Sequence, residues 1–248
     1  MQVGLVVAAG LVAQPLAAED RAVRSELDGV IAPEVKNDAF YQAIYRLART
    51  EQVATILEIG SSSGEGSTEA LVLGMRKNPC HPQLFCMEVS KPRFKKLREH
   101  YGDEPSVHCY NASSIPVKKF ATEREVTQFY QTVPSKLNDH PLATVLRWLK
   151  QDIDYLRREG ASQNGIARIR RENGIKSFDM VLIDGSEFTA KAELDQVYGA
   201  RLILLDDTCT FKNHANRERL LNDPDYALIE ENPYVRNGYA IFKRKEAR

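Results

Sequence analysis

The sequence predicts a doubly wound α/β fold: an open seven-stranded sheet, mostly parallel, with a C-terminal antiparallel hairpin. Two observations predict it. Apolar runs of strand length alternate with helix-compatible segments, and such continuous runs are typical of parallel strands buried on both faces. The last two runs are separated only by a short loop, which indicates a hairpin. At 248 residues, the chain has the length of one α/β domain with an additional segment.

The elements follow in chain order. Apolar residues at helical spacing (Phe40, Ile44, Leu47) predict a helix before the first strand. We therefore divide the chain into an N-terminal helical appendage, 1–53, and a main domain, 54–248. Helices are expected after the first strand, to about residue 77, and at 190–197. The strands are predicted at 54–59, 84–89, 107–110, 178–184, 202–206, 226–231 and 238–244.

A helical insertion, residues 117–177, lies between the third and fourth strands and is much longer than a crossover helix needs. Asp139 and Pro141 resemble a helix start, and an apolar stripe follows. Its residues are Leu142, Val145, Leu146, Leu149, Ile153 and Leu156. Packing on the domain or a homodimer contact is the preferred role. A lid over a substrate is compatible with that role.

The composition gives no indication of a nucleic-acid-binding protein or a membrane protein. Lys plus Arg and Asp plus Glu both number 34, so net charge indicates neither a nucleic-acid partner nor a membrane partner. The four cysteines lack paired C-x-x-C spacing, and Cys86 and Cys109 fall in apolar runs, as reduced thiols of a cytoplasmic protein do. Residues 3–18 are apolar, but no Lys or Arg precedes them. An N-terminal appendage is preferred there over a secretion signal.

A loop of small residues follows the first strand. It reads Gly60-Ser-Ser-Ser-Gly64-Glu-Gly66, and a helix-compatible segment begins directly after it. Glycine allows a sharp turn and a close approach of the backbone to a ligand, since it has no Cβ atom. Strand, tight turn and helix N-terminus are the layout with which α/β folds bind small ligands. A glycine-rich turn without a ligand is the alternative.

The spacing of the glycines narrows the choice of ligand. It fits neither the G-x-G-x-x-G dinucleotide pattern nor a P-loop, which would also need a Lys. The pattern acid-x-Gly-x-x-x-Gly-x-Gly, read from Glu58, resembles motif I of class I methyltransferases, Rossmann-like enzymes that use S-adenosylmethionine (SAM). The resemblance implies SAM as the cofactor. The contacts it implies in this segment are Glu58, Gly60, Ser61, Ser62, Ser63, Gly64 and Ser67.

The ends of two further strands carry residues suited to binding a nucleoside. Glu88 ends the second strand, where an acid can accept hydrogen bonds from both ribose hydroxyls. Asn111, Ala112 and Ser113 follow the third strand, where the resemblance places the adenine. These four residues complete the predicted cofactor site. An ordinary strand-end carboxylate and an ordinary polar loop are the alternatives.

Three aspartates follow the fourth and fifth strands: Asp184, Asp206 and Asp207. Neighbouring parallel strands open at the same edge of a sheet, so these carboxylates can converge. Close carboxylates repel unless protons or a cation intervene, and Mg²⁺ is the first choice of ion, before Ca²⁺ or Mn²⁺. In the alternative, Asp184 alone faces the cofactor or substrate, and the other two cap a turn.

The run IDGSEF…AELDQVYGARLILLDDT resembles metal-dependent O-methyltransferases that include the macrolide-sugar and cephalosporin-hydroxylase-like groups. By position, the resemblance makes the three aspartates the metal ligands. That family often has a histidine general base three residues after the first aspartate, where this chain has Glu187. Glu187 is therefore a candidate base, a further ligand or simply a polar residue. The segment 211–216 follows the acidic pair and is expected over the same crevice, where Lys212, Asn213 and His214 are candidates for substrate contact or proton transfer.

These observations predict an enzyme that transfers a methyl group from SAM to a hydroxyl of a small molecule such as a sugar, a polyol or a secondary metabolite, with Mg²⁺ assisting. A metal-independent methyltransferase acting on nitrogen, carbon or carboxylate is one alternative. A SAM-binding protein without catalysis is another, since a fold does not determine a function.

Overall fold

The computed structural model describes residues 25–246, so the segment 3–18, for which a secretion signal was considered, lies outside the described residues. The helices are α1 Ala39–Thr50, α2 Ser67–Met75, α3 Lys91–Tyr101, α4 Glu123–Thr132, α5 Leu142–Arg158, α6 Gly165–Asn173, α7 Ala190–Val197 and α8 Phe211–Leu221. The strands are β1 Thr55–Ile59, β2 Gln83–Glu88, β3 Val107–Asn111, β4 Met180–Ile183, β5 Leu202–Asp206, β6 Tyr226–Asn232 and β7 Tyr239–Arg244.

The strands form one seven-stranded sheet in the order β3-β2-β1-β4-β5-β7-β6. Strands β1 to β5 pair in parallel, and β7 is antiparallel to both β5 and β6. The predicted fold class is therefore confirmed. The chain reverses its direction of winding between β1 and β4, and ligands of doubly wound sheets bind outside the carboxyl ends of such strands.

Both faces of the sheet are covered, which explains why its central strands are continuously apolar. Successive strand side chains point to opposite faces. In β1, Ile56 belongs to the apolar cluster on one face that includes Phe40 and Ile44 of α1, and Leu57 belongs to the cluster on the other face that includes residues of the insertion. Ile56 and Leu57 are both fully buried.

Helix α1 is part of the core. Asp38 caps it by accepting a hydrogen bond from the backbone N–H of Tyr41 at 2.8 Å. The helix packs closely on α2, where a Cβ atom on Gly74 would lie 2.6 Å from the carbonyl oxygen of Tyr45. The division of the chain at residue 53 stays a prediction, but residues 39–50 contribute apolar side chains to the main core.

The insertion contains α4, α5 and α6 with two short 3₁₀ turns. Three residues of the predicted stripe on α5, Val145, Leu149 and Leu156, are buried in the core of the domain. Within residues 25–246, the exposed large apolar side chains all lie outside 117–177. The stripe therefore packs on its own domain, and a homodimer contact through the insertion stays a prediction.

None of the helices in the described part of the chain has the length and apolarity needed to cross a membrane. The four cysteines all lie in that part, and each is a free thiol.

Candidate active site

A cavity of about 560 Å³ opens at the carboxyl ends of β1, β2, β4 and β5. The loop after β1, the insertion and a segment before α1, residues 26–35, all contribute to its walls. The volume is in the range of small-molecule sites, about 300–1,000 Å³. The fold therefore places one candidate site where the sequence predicts it.

The loop after β1 lies directly against β4. Gly60 has φ +91°, and a Cβ atom there would lie 2.0 Å from the carbonyl oxygen of Asp184, so only glycine fits. Gly60, Ser61, Ser62 and Ser67 line the cavity. The hydroxyls of Ser61 and Ser62 are buried and have no hydrogen-bond partner among the described residues. Buried hydroxyls normally have partners, so these two are suited to a bound ligand.

Three predicted contacts of this segment do not line the cavity. Glu58 is fully buried, and its carboxylate accepts hydrogen bonds from the hydroxyls of Ser67 and Thr68, each at 2.7 Å. Glu58 thus ties the first turn of α2 to β1. Ser63 and Gly64 face α3 instead, where their carbonyl oxygens bond to His100 and Tyr101.

Glu88, at the end of β2, lines the cavity. Its carboxylate accepts the backbone N–H groups of Ser62 at 2.8 Å and Ser90 at 2.7 Å. Burial raises its pKa, although these bonds and Arg93 oppose the shift. Glu88 therefore fixes the position of the loop after β1.

The loop after β3 contributes in part to the cavity. Ala112 and Ser113 line it. Asn111 does not, because its side chain donates to the carbonyl oxygens of Glu88 at 2.8 Å and Val89 at 3.1 Å. Asn111 thus connects β3 to the end of β2.

The predicted convergence of the three aspartates is confirmed. Each of Asp184, Asp206 and Asp207 offers a carboxylate oxygen within 4.8 Å of the others. Asp207 has φ +53°, an uncommon backbone conformation for a residue with a side chain. Asn213 joins the two strand ends, since its amide donates to the carbonyls of Ile183 at 3.0 Å and Asp206 at 2.6 Å.

Two basic side chains form ion pairs with this cluster. The Nζ atom of Lys212 lies 3.0 Å from Oδ1 of Asp184 and 2.6 Å from Oδ2 of Asp207. The guanidinium of Arg236 lies 2.5 Å from Oδ1 of Asp206. One oxygen of Asp206 and one of Asp207 are buried without a hydrogen-bond partner in the described part of the chain. All three aspartates thus have a basic partner, and two oxygens remain free.

The ionisable side chains of this cluster have different pKa values and therefore different charges at neutral pH. Burial raises the pKa of Asp184 to about 7. Burial alone would also raise the pKa of Asp207, but the Lys212 ammonium outweighs it and lowers that pKa. Burial alone would lower the pKa of Lys212, and the surrounding carboxylates instead raise it well above its ordinary value. Lys212 and Asp207 therefore form a charged pair, and Asp184 changes charge near neutral pH.

The three aspartates supply the oxygen ligands that a hard divalent ion needs. In this arrangement, however, the ammonium of Lys212 lies among them. The site as it stands does not fit a divalent ion, and Lys212 would have to move for one to bind. A divalent ion at these residues stays a prediction.

Glu187 lines the cavity beside this cluster. Its carboxylate accepts the backbone N–H of Lys212 at 3.1 Å and the hydroxyl of Thr210 at 3.2 Å, at the N-terminus of α8. Burial raises its pKa to about 7. A carboxylate with such a pKa can accept a proton near neutral pH. His214 does not line the cavity; its ring lies 5.3 Å from the ring of Phe129 in the insertion.

Two residues of α5 that were not predicted as site residues, Trp148 and Asp152, line the cavity. Asp152 accepts a hydrogen bond from the hydroxyl of Ser186 at 2.5 Å, and burial raises its pKa to about 6. Their spacing of four residues places both on one face of a helix, which is the signal that could have identified them.

The segment before α1 was also missed. Its residues 26–35 lie across the cavity, and the side chain of Arg93 bonds to the carbonyl oxygens of Glu26 at 2.8 Å and Gly29 at 3.0 Å. No pattern in this segment indicates a ligand.

No protein-family model matches the chain, and no curated protein matches it in sequence. Solved structures do match. A methyltransferase from Geobacter sulfurreducens is 12% identical, with a TM-score of 0.51 over 85% of this chain and 82% of that one.

Two further structures agree. An O-methyltransferase from Bacillus cereus, solved with S-adenosylhomocysteine (SAH), is 12% identical, with a TM-score of 0.51 over 86% of this chain and 84% of that one. A proposed O-methyltransferase from Klebsiella pneumoniae is 16% identical, with the same TM-score of 0.51 over 88% of this chain and 85% of that one. The chain therefore has the fold of known SAM-dependent methyltransferases.

Proposed function

We propose that the protein is a SAM-dependent methyltransferase that methylates a hydroxyl of a small molecule. One observation supports this most strongly. A glycine-rich loop with two unpartnered buried hydroxyls, on Ser61 and Ser62, faces a cavity at the reversal point of a methyltransferase-like sheet. The fold alone would not distinguish this function from others.

The charge of the cavity suits the cofactor. Among the described residues that line it, eight are acidic and three are Lys or Arg. SAM carries a positive sulfonium, which an acidic cavity attracts. Ser61, Ser62, Ala112 and Ser113 would contact the nucleoside, and Glu88 would hold the loop in place. SAH, which lacks the sulfonium charge, is the matching product.

Glu187 is the proposed general base. When bound, SAM supplies the methyl group: the acceptor oxygen bonds to the methyl carbon, the carbon–sulfur bond breaks, and its electron pair stays on sulfur. The proton of the acceptor hydroxyl passes to the Glu187 carboxylate, whose pKa of about 7 suits transfer near neutral pH. Glu187 later releases that proton to water.

The insertion would select the acceptor. Trp148 offers an aromatic surface and Asp152 a carboxylate, and both line the cavity from α5. Carboxylates accept hydrogen bonds from hydroxyl groups, so a sugar or another polyol is the acceptor class we favour. An acceptor would then be selected by its contacts with Trp148 and Asp152 of the insertion.

A second form of the proposal includes a divalent ion, Mg²⁺ first, at Asp184, Asp206 and Asp207. The two unpartnered oxygens on Asp206 and Asp207 favour it. The position of Lys212 opposes it. A bound ion would supply a Lewis acid for the acceptor oxygen. Activity in the presence of EDTA distinguishes the two forms.

The test is transfer of a labelled methyl group from SAM to a panel of sugars, polyols and phenols, with amines and carboxylic acids as a second panel. Labelled product from a hydroxyl compound would support the proposal. Product from amines or acids alone would favour the alternative acceptor atoms. Tight SAM binding with no turnover on either panel would favour a non-catalytic SAM-binding protein.

A further inference from the structure

The centre of the acidic cluster contains a side chain of the protein itself. Lys212 reaches it from the first turn of α8, and its ammonium contacts carboxylates that follow two different strands. Only 10% of the side chain is exposed. A buried ammonium between two carboxylates offsets their mutual repulsion, as a bound cation would.

The backbone at Lys212 is fixed, which limits how far its ammonium can move. Glu187 accepts the N–H of Lys212, and the adjacent Asn213, fully buried, bonds to the ends of β4 and β5. Asn216, one turn later, donates to the carbonyl of Ala190 at 2.9 Å and to Asn213 at 2.8 Å. These bonds attach the start of α8 to the strands that carry the aspartates.

We propose that the ammonium of Lys212 is the resident cation of this site, in the position that the sequence predicts for a divalent ion. In this proposal the ammonium also binds the acceptor oxygen. The catalytic part of this proposal rests on the proposed function. An ammonium has three N–H donors. Asp184 and Asp207 take two, and Lys212 lines the cavity, where the third can reach a ligand.

Lys212 would stabilise the negative charge that develops on the acceptor oxygen as its proton passes to Glu187. The ammonium keeps its own protons throughout, so the reaction needs no metal and no further reactant. A donor fixed before the reaction stabilises such charge without reorganisation. The catalytic roles are therefore divided: Lys212 binds the oxygen and Glu187 takes the proton.

Mn²⁺ binding to the SAM-free protein tests the position of the cation directly. Mn²⁺ takes oxygen ligands as Mg²⁺ does, and electron paramagnetic resonance counts the free ion. We expect no Mn²⁺ site in the wild type that Asp184→Asn removes. In Lys212→Met, the trio loses its central cation, so we expect a new Mn²⁺ site, with affinity at least about tenfold above any residual Mn²⁺ binding by the wild type. Adding Asp184→Asn should abolish that new site.

Lys136→Met is the matched control. Lys136 also lines the cavity, but its ammonium bonds to the carbonyl oxygen of Arg236 and contacts none of the three aspartates. This variant should gain no Mn²⁺ site. Lys212→Gln serves as a second variant if Lys212→Met does not fold, and circular dichroism checks both.

Two results of the Mn²⁺ comparison would overturn the proposal: a wild-type Mn²⁺ site that Asp184→Asn removes, or no new site in either folded Lys212 variant.

For catalysis, wild-type transfer should be unchanged by EDTA, and Lys212→Met should lose about a hundredfold or more in rate. Transfer that stops in EDTA and returns with Mg²⁺ would also overturn it. Absence of SAH binding would refute the proposed function, and the Mn²⁺ comparison would still decide whether Lys212 is the resident cation.

Discussion

The backbone of Gly60 and the carbonyl oxygen of Asp184 are so close that a Cβ atom on residue 60 would lie 2.0 Å from that oxygen. One is the first glycine of the proposed cofactor loop, and the other is the first aspartate of the acidic cluster. The two parts of the site are therefore in direct contact. A shift of the backbone at residue 60 would therefore also move the backbone at Asp184.

Gly60→Ala should disrupt both stability and cofactor binding. The new methyl group would clash with Asp184, and alanine disfavours φ +91°. We expect a loss of about 2–3 kcal/mol in the free energy of unfolding, measured with urea. SAH binding should fall below detection by calorimetry. Gly160→Ala is the control, because Gly160 has φ +57° with nothing within 4 Å of its Cβ position. An equal loss in both variants would contradict the clash.

Glu88→Gln should weaken SAH binding by about tenfold. Both carboxylate oxygens of Glu88 accept backbone N–H groups, from Ser62 and Ser90. A glutamine replaces one oxygen with an amide that can only donate, so one of these bonds is lost. Calorimetric titration with SAH measures the effect. Glu104→Gln, which alters a surface pair with Arg76, should bind SAH as the wild type does. Equal affinity in Glu88→Gln would remove Glu88 from the site.

The rate of methyl transfer should rise with pH, with a midpoint near 7. Glu187 acts as a base only when it is ionised, and its pKa is about 7. Asp184 titrates near 7 and Asp152 near 6 in the same cavity, and Asp207 and Lys212 stay charged. Glu187→Gln identifies the base: its rate should fall about a hundredfold or more. A full rate in that variant would leave Glu187 with a structural role.

The same residue should make folding dependent on pH. Because the pKa of Glu187 rises from its ordinary 4.5 to about 7 on folding, the protonated form favours the folded state. Its stabilising effect is complete below 4.5 and is lost as pH rises through 7. At pH 8, Glu187→Gln should therefore be about 3 kcal/mol more stable than the wild type, with little difference at pH 4.

Urea unfolding at both pH values measures this difference. Glu218→Gln, an exposed change on α8, is the control and should show no pH-dependent gain. A Glu187→Gln variant that is less stable at pH 8 would show that its hydrogen bonds to Thr210 and Lys212 outweigh its burial.

Asp152→Ala should raise the KM for the acceptor several-fold and leave the affinity for SAH unchanged. Asp152 reaches the cavity from the insertion, and its hydrogen-bond partner is Ser186, which follows β4, rather than a residue of the loop after β1. Asp154→Ala, two residues along α5 on its exposed side, is the matched control. Steady-state kinetics with a hydroxyl acceptor measures both variants. A change in SAH affinity instead would place Asp152 in the cofactor site.

The fold could be predicted because its strongest signals are local. Strands such as β5, buried on both faces, are continuously apolar, and the prediction of Leu202–Asp206 matches the observed strand. The convergence of the aspartates follows from topology, since neighbouring parallel strands end at one edge of the sheet. These predictions depend on the order of the strands and not on the direction in which a side chain points.

The site could be predicted only in part because the rest depends on side-chain direction. Glu58 and Asn111 occupy the predicted chain positions, yet both point into the structure and bond to it. Lys212 and Arg236 reach the acidic cluster from α8 and from the loop between β6 and β7. The chain position of Lys212, soon after Asp207, predicts that it lies over the crevice. Its ion pairs, and the approach of Arg236 from a distant loop, depend on packing that spacing along the chain does not encode.

Calorimetric titration of the wild-type protein with SAH, with NAD as the comparison ligand, decides whether this cavity is a SAM site. We expect one SAH bound per chain, no binding of NAD, and loss of SAH binding in Gly60→Ala. A wild-type protein that binds NAD, or that binds no SAH while folded, would contradict the assignment of this cavity to SAM.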